Sequence, residues 1–110
     1  MLRADGQILV LTAVASAEQA AALADALVQN RLAACVTCLP GGVSFYCWQG
    51  KRYSAEPEQV LLIKTHRDKL SELENFFAAH HPYECPELLV FDAVAVSDAY
   101  SRWMREQLGM

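Results

Sequence analysis

The strongest constraint on this chain is the order in which two hydrophobic periodicities alternate along it. Residues 7–14, QILVLTAV, form a continuous apolar and β-branched run, the pattern of a buried strand. Ser16 and Gln19 then stand at capping-box spacing. Ala20, Leu23, Ala24, Leu27 and Val28 follow at i, i+3, i+4, i+7 and i+8, one apolar face of a helix ending near Asn30. Residues 32–39, LAACVTCL, read as a second strand, punctuated by Pro40-Gly41-Gly42. Residues 43–48 are extended, with Val43, Phe45 and Cys47 facing one way and Ser44, Tyr46 and Trp48 the other. Gln49-Gly50-Lys51 reads as a turn, and residues 58–65, EQVLLIKT, resume the sheet. Leu70, Leu73, Phe76 and Phe77 mark a second helix from about Asp68 to His80, stopped by Pro82. Residues 87–96 form the last long strand. Ser97 caps a third helix with Tyr100, Trp103, Met104 and Leu108 on one face.

The order is therefore β-α-β, an extended hairpin, β-α-β, then a helix. It predicts an α+β, ferredoxin-like β-α-β-β-α-β sandwich, with two helices on one face of an antiparallel sheet and residues 1–110 as a single domain. Hydrophobic residues make up 54% of the chain, a surplus for so small a sphere, which points to apolar surface buried between subunits.

The formal net charge is −4, and the nine Lys and Arg are scattered rather than clustered. Nucleic-acid binding needs clustered positive charge, so it is not expected. Met1–Gly6 is short and polar and no apolar run approaches 18 residues, so the expectation is a cytoplasmic protein, neither secreted nor membrane-spanning. In that compartment Cys35, Cys38, Cys47 and Cys85 are reduced thiols. Cys35 and Cys38 have redox or zinc spacing. Three residues apart on a strand, however, their side chains leave opposite faces, and no second ligand pair follows.

His80-His81 is the best metal candidate, because imidazole suits copper and zinc, and Glu84, Cys85 and Glu87 lie close by in the chain. Histidine at a helix C-terminus also has a plainer role, complementing the helix dipole when charged. Tyr46, Trp48, Lys51, Tyr83 and Glu87 fall at loop edges, where they either line a pocket between subunits or pack an interface. Lys64, in an apolar strand, requires a partner, with Glu58 or Asp92 the expected one. There is no phosphate-cradling glycine loop, HExxH or nucleophile elbow, so an enzyme is not expected.

Residues 31–51, RLAACVTCLPGGVSFYCWQGK, resemble the signature of the CutA divalent-cation-tolerance family: RLAAC, a Pro-Gly turn, then Tyr-x-Trp-x-Gly-Lys. Glu58 with Leu62-Ile63-Lys64-Thr65, His81-Pro82-Tyr83 with Pro86-Glu87, and Ala99-Tyr100 with Trp103 also agree. The matches span about residues 8–105. The resemblance implies a ferredoxin-like homotrimer acting in metal tolerance, with copper or another divalent metal as its ion. It also implies His80 and His81 as ligands, beside a cysteine that some bacterial members carry where this chain has Thr12. Cys38, Cys47 and His66 depart from the family pattern. Two other classes remain open: a PII-like signalling trimer binding a small ligand between subunits, by fold analogy, and a structural or partner-anchoring trimer.

Overall fold

In the computed structural model, which describes residues 2–110, ten short stretches of regular structure succeed one another in nearly the expected order. Strand β1 is Leu2–Arg3 and β2 is Gln7–Val14. Helix α1 is Ala17–Gln29, β3 is Cys35–Trp48 and β4 is Lys51–His66. A 3-10 turn, Arg67–Lys69, leads into α2, Leu70–His80. Then come β5, Leu89–Asp92, β6, Ala95–Val96, and α3, Asp98–Leu108.

Four strands form one open antiparallel sheet in the order β3-β4-β2-β5, and β1 pairs with β6 beside it. With β2 and β4 central, this is the ferredoxin-like arrangement that the element order predicts. Ile8, Val10 and Val14 of β2 and Leu61 and Ile63 of β4 form one buried cluster with Ala20, Leu23 and Leu27 of α1 and Leu73 and Phe77 of α2. Both helices therefore cover the same sheet face. Ser16 starts α1 as expected: its Oγ accepts from Gln19 N at 3.1 Å, while Gln19 Oε1 accepts from Ala15 N at 3.0 Å.

The opposite face is only partly covered. Leu9, Leu11 and Leu62 are half-buried there, and Leu39, Leu89 and Phe91 are exposed by 46%, 50% and 50%. Helix α3 closes one end of it through Met104 and Leu108 packed on Ala34, and through Gln7 Nε2 donating to Ser101 Oγ at 3.0 Å. Tyr100 and Trp103 stay exposed on α3 and stack on each other at 5.5 Å.

Two expectations need correction. Pro40-Gly41-Gly42 does not interrupt the chain between two strands; β3 runs through it as a bulge, its register stepping from Leu39↔Val60 to Gly42↔Glu58. Proline is tolerated at a bulge because no ladder hydrogen bond is asked of it there. The extra residue is accommodated at Gly41, whose φ is +81°. A second bulge, between Ser44 and Tyr46, puts the extra residue on β4, where Ala55 has φ +55°. The long final strand is likewise two short ones, β5 and β6, that join different sheets.

Since β2 pairs with β4 only as far as Val14↔Gln59, the two hairpin arms beyond that point have no third strand among the described residues. They close at Gln49-Gly50, where both residues have positive φ, +51° and +78°, the geometry of a two-residue I′ hairpin.

Candidate functional site

Where α2 ends, adjacent residues diverge. His81 turns inward and is 8% exposed, while His80 lies on the exposed side and its ring packs on Phe76 at 4.4 Å. The His81 ring is held at both nitrogens. Tyr83 N donates to Nδ1 at 3.1 Å, so Nδ1 keeps its lone pair and Nε2 carries the proton. Nε2–H therefore donates to Thr12 Oγ1 at 3.0 Å. Burial holds this imidazole below its ordinary value, against weaker upward pulls from the Ala13 carbonyl and the Glu58 charge. His66 is engaged in the same way: Nδ1 accepts from Asp68 N at 3.1 Å and Nε2 lies 3.2 Å from the Asp5 carbonyl.

As donors, His80 and His81 thus have the right chemistry for copper or zinc, but their rings do not converge within one chain. Among the described residues, no three His, Cys, Asp or Glu side chains gather as a metal set would. His81 reaches an ion only by giving up one of its two hydrogen bonds. The four cysteines are free, and Cys35 and Cys38 lie on β3 at spacing that sends them to opposite faces.

The same segment, residues 82–87, forms one wall of a cleft of about 610 Å³. Pro82, Tyr83, Glu84, Cys85 and Glu87 face the hairpin arms, which contribute Ser44, Phe45, Tyr46 and Trp48 from β3 and Tyr53 and Glu58 from β4. Of the five residues expected either to line a pocket between subunits or to pack an interface, Tyr46, Trp48, Tyr83 and Glu87 line this cleft within one chain. Lys51 lies at the hairpin tip outside the lining, its Nζ 5.0 Å from the Tyr53 ring centroid. Glu58 and Tyr53 were not expected in the pocket. Tyr53 was legible as the cross-strand partner of Tyr46 once the hairpin register is known; no local signal marks Glu58 for this role.

Glu58 organises the cleft. Its Oε2 accepts from Tyr83 Oη at 2.6 Å, and burial, then this bond and the Glu58 charge, push the Tyr83 phenol up. Partial burial, then Glu58, push the Glu87 carboxyl up as well. Tyr46 and Tyr53 stack at 5.1 Å with 16° between their planes, making a broad aromatic wall. Lys64 does not pair with Glu58 or Asp92. Its ammonium donates to Thr37 Oγ1 and approaches Cys35 Sγ at 3.7 Å. Six residues along one strand put Glu58 out of reach, and Asp92 is taken by Arg67 at 2.6 Å.

The fold and its sheet order define a ferredoxin-like α+β protein. A profile of the family described as "CutA1 divalent ion tolerance protein" matches residues 8–107. The chain is 40% identical over 100 residues to the divalent-cation tolerance protein CutA of Thermus thermophilus, covering 91% of this chain and 96% of that one. It is 38% identical over 98 residues to the chloroplastic CutA of Arabidopsis thaliana, covering 89% of this chain but spanning only about half, 53%, of that longer relative. The solved structure of CutA from Synechococcus elongatus PCC7942 superposes with a TM-score of 0.91 at 38% identity, covering 97% and 94% of the two chains. The same protein has been solved in complex with a Bis-Tris molecule, which superposes at 0.85 with 37% identity over 96% and 97%. The chain belongs to the CutA1 divalent ion tolerance family. That family is named for tolerance rather than for a reaction, and no helix among the described residues is long and apolar enough to cross a membrane.

Proposed function

We propose that residues 1–110 act as a single CutA-like domain that assembles as a homotrimer in the cytoplasm. The trimer binds divalent metal ions, copper among them, in metal homeostasis, without catalysis and without nucleic-acid or membrane partners. The observation that carries this reading is membership of the divalent ion tolerance family across residues 8–107. The trimer is supported by the open apolar sheet face around Leu89 and Phe91 and by hairpin arms that no third strand among the described residues covers.

Imidazole is the proposed donor. His80 is exposed and free to ligate, and His81 joins by exchanging its Thr12 bond for the ion. Thr12 supplies a hydroxyl where some members have a thiol, so binding of soft ions is weak to moderate. Neutral imidazole is the binding form, so acidification weakens binding, and because burial holds His81 below its ordinary value its contribution is lost only at more acidic pH.

The test is calorimetry with Cu(II) and Zn(II), alongside light scattering for a three-chain mass. It compares wild type, His80→Ala, His81→Ala, the double variant and Thr12→Cys. The double variant abolishes specific binding and Thr12→Cys tightens it. A double variant that binds copper as wild type does rejects this site.

A second reading is favoured by the cleft: a PII-like trimer that carries a small ligand there. The Synechococcus relative's complex with Bis-Tris supports the capacity of this fold to hold a small molecule.

A further inference from the structure

The cleft between the hairpin arms and residues 82–87 has an unusual charge balance. Glu58, Glu84 and Glu87 line it, and its described lining includes no lysine, arginine or histidine. The rest of the wall is largely aromatic, with Tyr46, Trp48 and Tyr53 on one side and Tyr83 on the other. We propose that this cleft binds a small organic cation, a protonated or quaternary amine, by placing its charge between the aromatic faces and the carboxylates of Glu58 and Glu87. The inference rests on the small-ligand reading above and specifies the ligand's chemistry.

Aromatic faces carry negative quadrupole density and attract ammonium groups within about 6 Å of a ring centroid. The Tyr46–Tyr53 stack presents such a face, and the Lys51 ammonium already rests 5.0 Å from the Tyr53 centroid at the hairpin tip. Glu58 and Glu87 repel one another across the cleft, and that repulsion contributes to the raised Glu87 carboxyl. A cation between them relieves it.

Tyr83 fixes Glu58 by donating to Oε2 at 2.6 Å, so the acceptor is oriented before a ligand arrives. The cleft volume of about 610 Å³ falls in the range that suits a small organic molecule. A bare divalent ion is the poorer occupant, because no three ligating side chains converge among the described residues. A nucleotide is poorer still: within the lining this chain supplies, its phosphates would meet three carboxylates and no cation nearer than Lys51 at the hairpin tip.

The experiment is calorimetric titration of the full chain in phosphate buffer, free of amines. The probes are choline, its neutral carbon isostere 3,3-dimethylbutan-1-ol, and ATP. Choline binds saturably, and the isostere binds at least about tenfold more weakly because it fills the same shape without the charge. Glu87→Gln weakens choline several-fold. Glu58→Gln does the same, and the double variant loses about tenfold or more. Tyr53→Leu also weakens it. Circular dichroism melts establish that each variant is folded. Because Glu58→Gln disturbs Tyr83 as well, Glu87→Gln carries the decision if the former does not fold.

An isostere that binds as well as choline overturns the proposal, as does choline binding indifferent to Glu87→Gln. ATP binding without choline binding rejects the cation class while leaving the cleft a ligand site. No binding by choline or ATP removes both this inference and the small-ligand reading.

Discussion

Replacing Thr12 by valine isolates the contact that holds residues 81–83 to the sheet. Thr12 is fully buried at 0% exposure and His81 nearly so at 8%, so the 3.0 Å bond between them is shielded from water. Valine keeps the β-branched shape and volume but removes the acceptor. A net hydrogen bond of about 1 kcal/mol is lost, and an unpaired buried N–H adds roughly 1–3 kcal/mol. The Ala13 carbonyl, which also attracts the His81 ring, recovers part of this, and the new methyl adds some apolar burial. The net expectation is a loss of about 1–2 kcal/mol, or roughly 4–12 °C in melting temperature for a domain of this size. Urea unfolding followed by circular dichroism at fixed protein concentration measures it. His81→Phe and the double variant complete a cycle. With phenylalanine at 81 there is no N–H to orphan, so Thr12→Val costs nothing or stabilises, giving a coupling of about 1 kcal/mol or more. An equal cost in both backgrounds refutes the role assigned to this bond.

Stability should also depend on pH through His81. Its native pKa is depressed by burial, so near neutrality the folded and unfolded states are both unprotonated there. As pH falls below about 6.5 the unfolded state takes up the proton first. Stability is therefore full above that value, declines on acidification, and levels off below the native pKa; His81→Phe flattens this part of the profile in denaturant titrations. Gly6→Ala should cost about 3 kcal/mol or more, since φ is +127° and an added Cβ would lie 2.4 Å from the His66 ring. That ring cannot easily swing away, because Asp5 and Asp68 hold both its nitrogens. A loss under 1 kcal/mol in urea would mean the turn at Gly6 relaxes freely.

What the sequence by itself determined was each local element and the order of their assembly. The i, i+3, i+4 stripe of α1, its Ser16–Gln19 start and the apolar runs of β2 and β4 are all written in contiguous residues. Their periods match helix and strand geometry directly. Pairing order followed, because two β-α-β units of this length have few ways to bury both helices on one sheet. The motifs of residues 31–51 and 81–87 were legible for the same reason: each is a short string.

Tertiary structure decided what depends on strangers in sequence. Pro40-Gly41-Gly42 reads locally as a break, yet pairing of β3 with β4 on both sides of it turns the break into a bulge. His80 and His81 look equivalent as neighbours, but only one of them meets Thr12, 69 residues away, and that bond occupies the nitrogen a metal would need. Glu58 reads as the start of a strand, and becomes the centre of the cleft because Tyr83, 25 residues on, donates to it. Periodicity reports which face of an element is buried. It carries no record of which distant polar group arrives to satisfy a buried one, and this protein's candidate chemistry rests on those long-range partnerships.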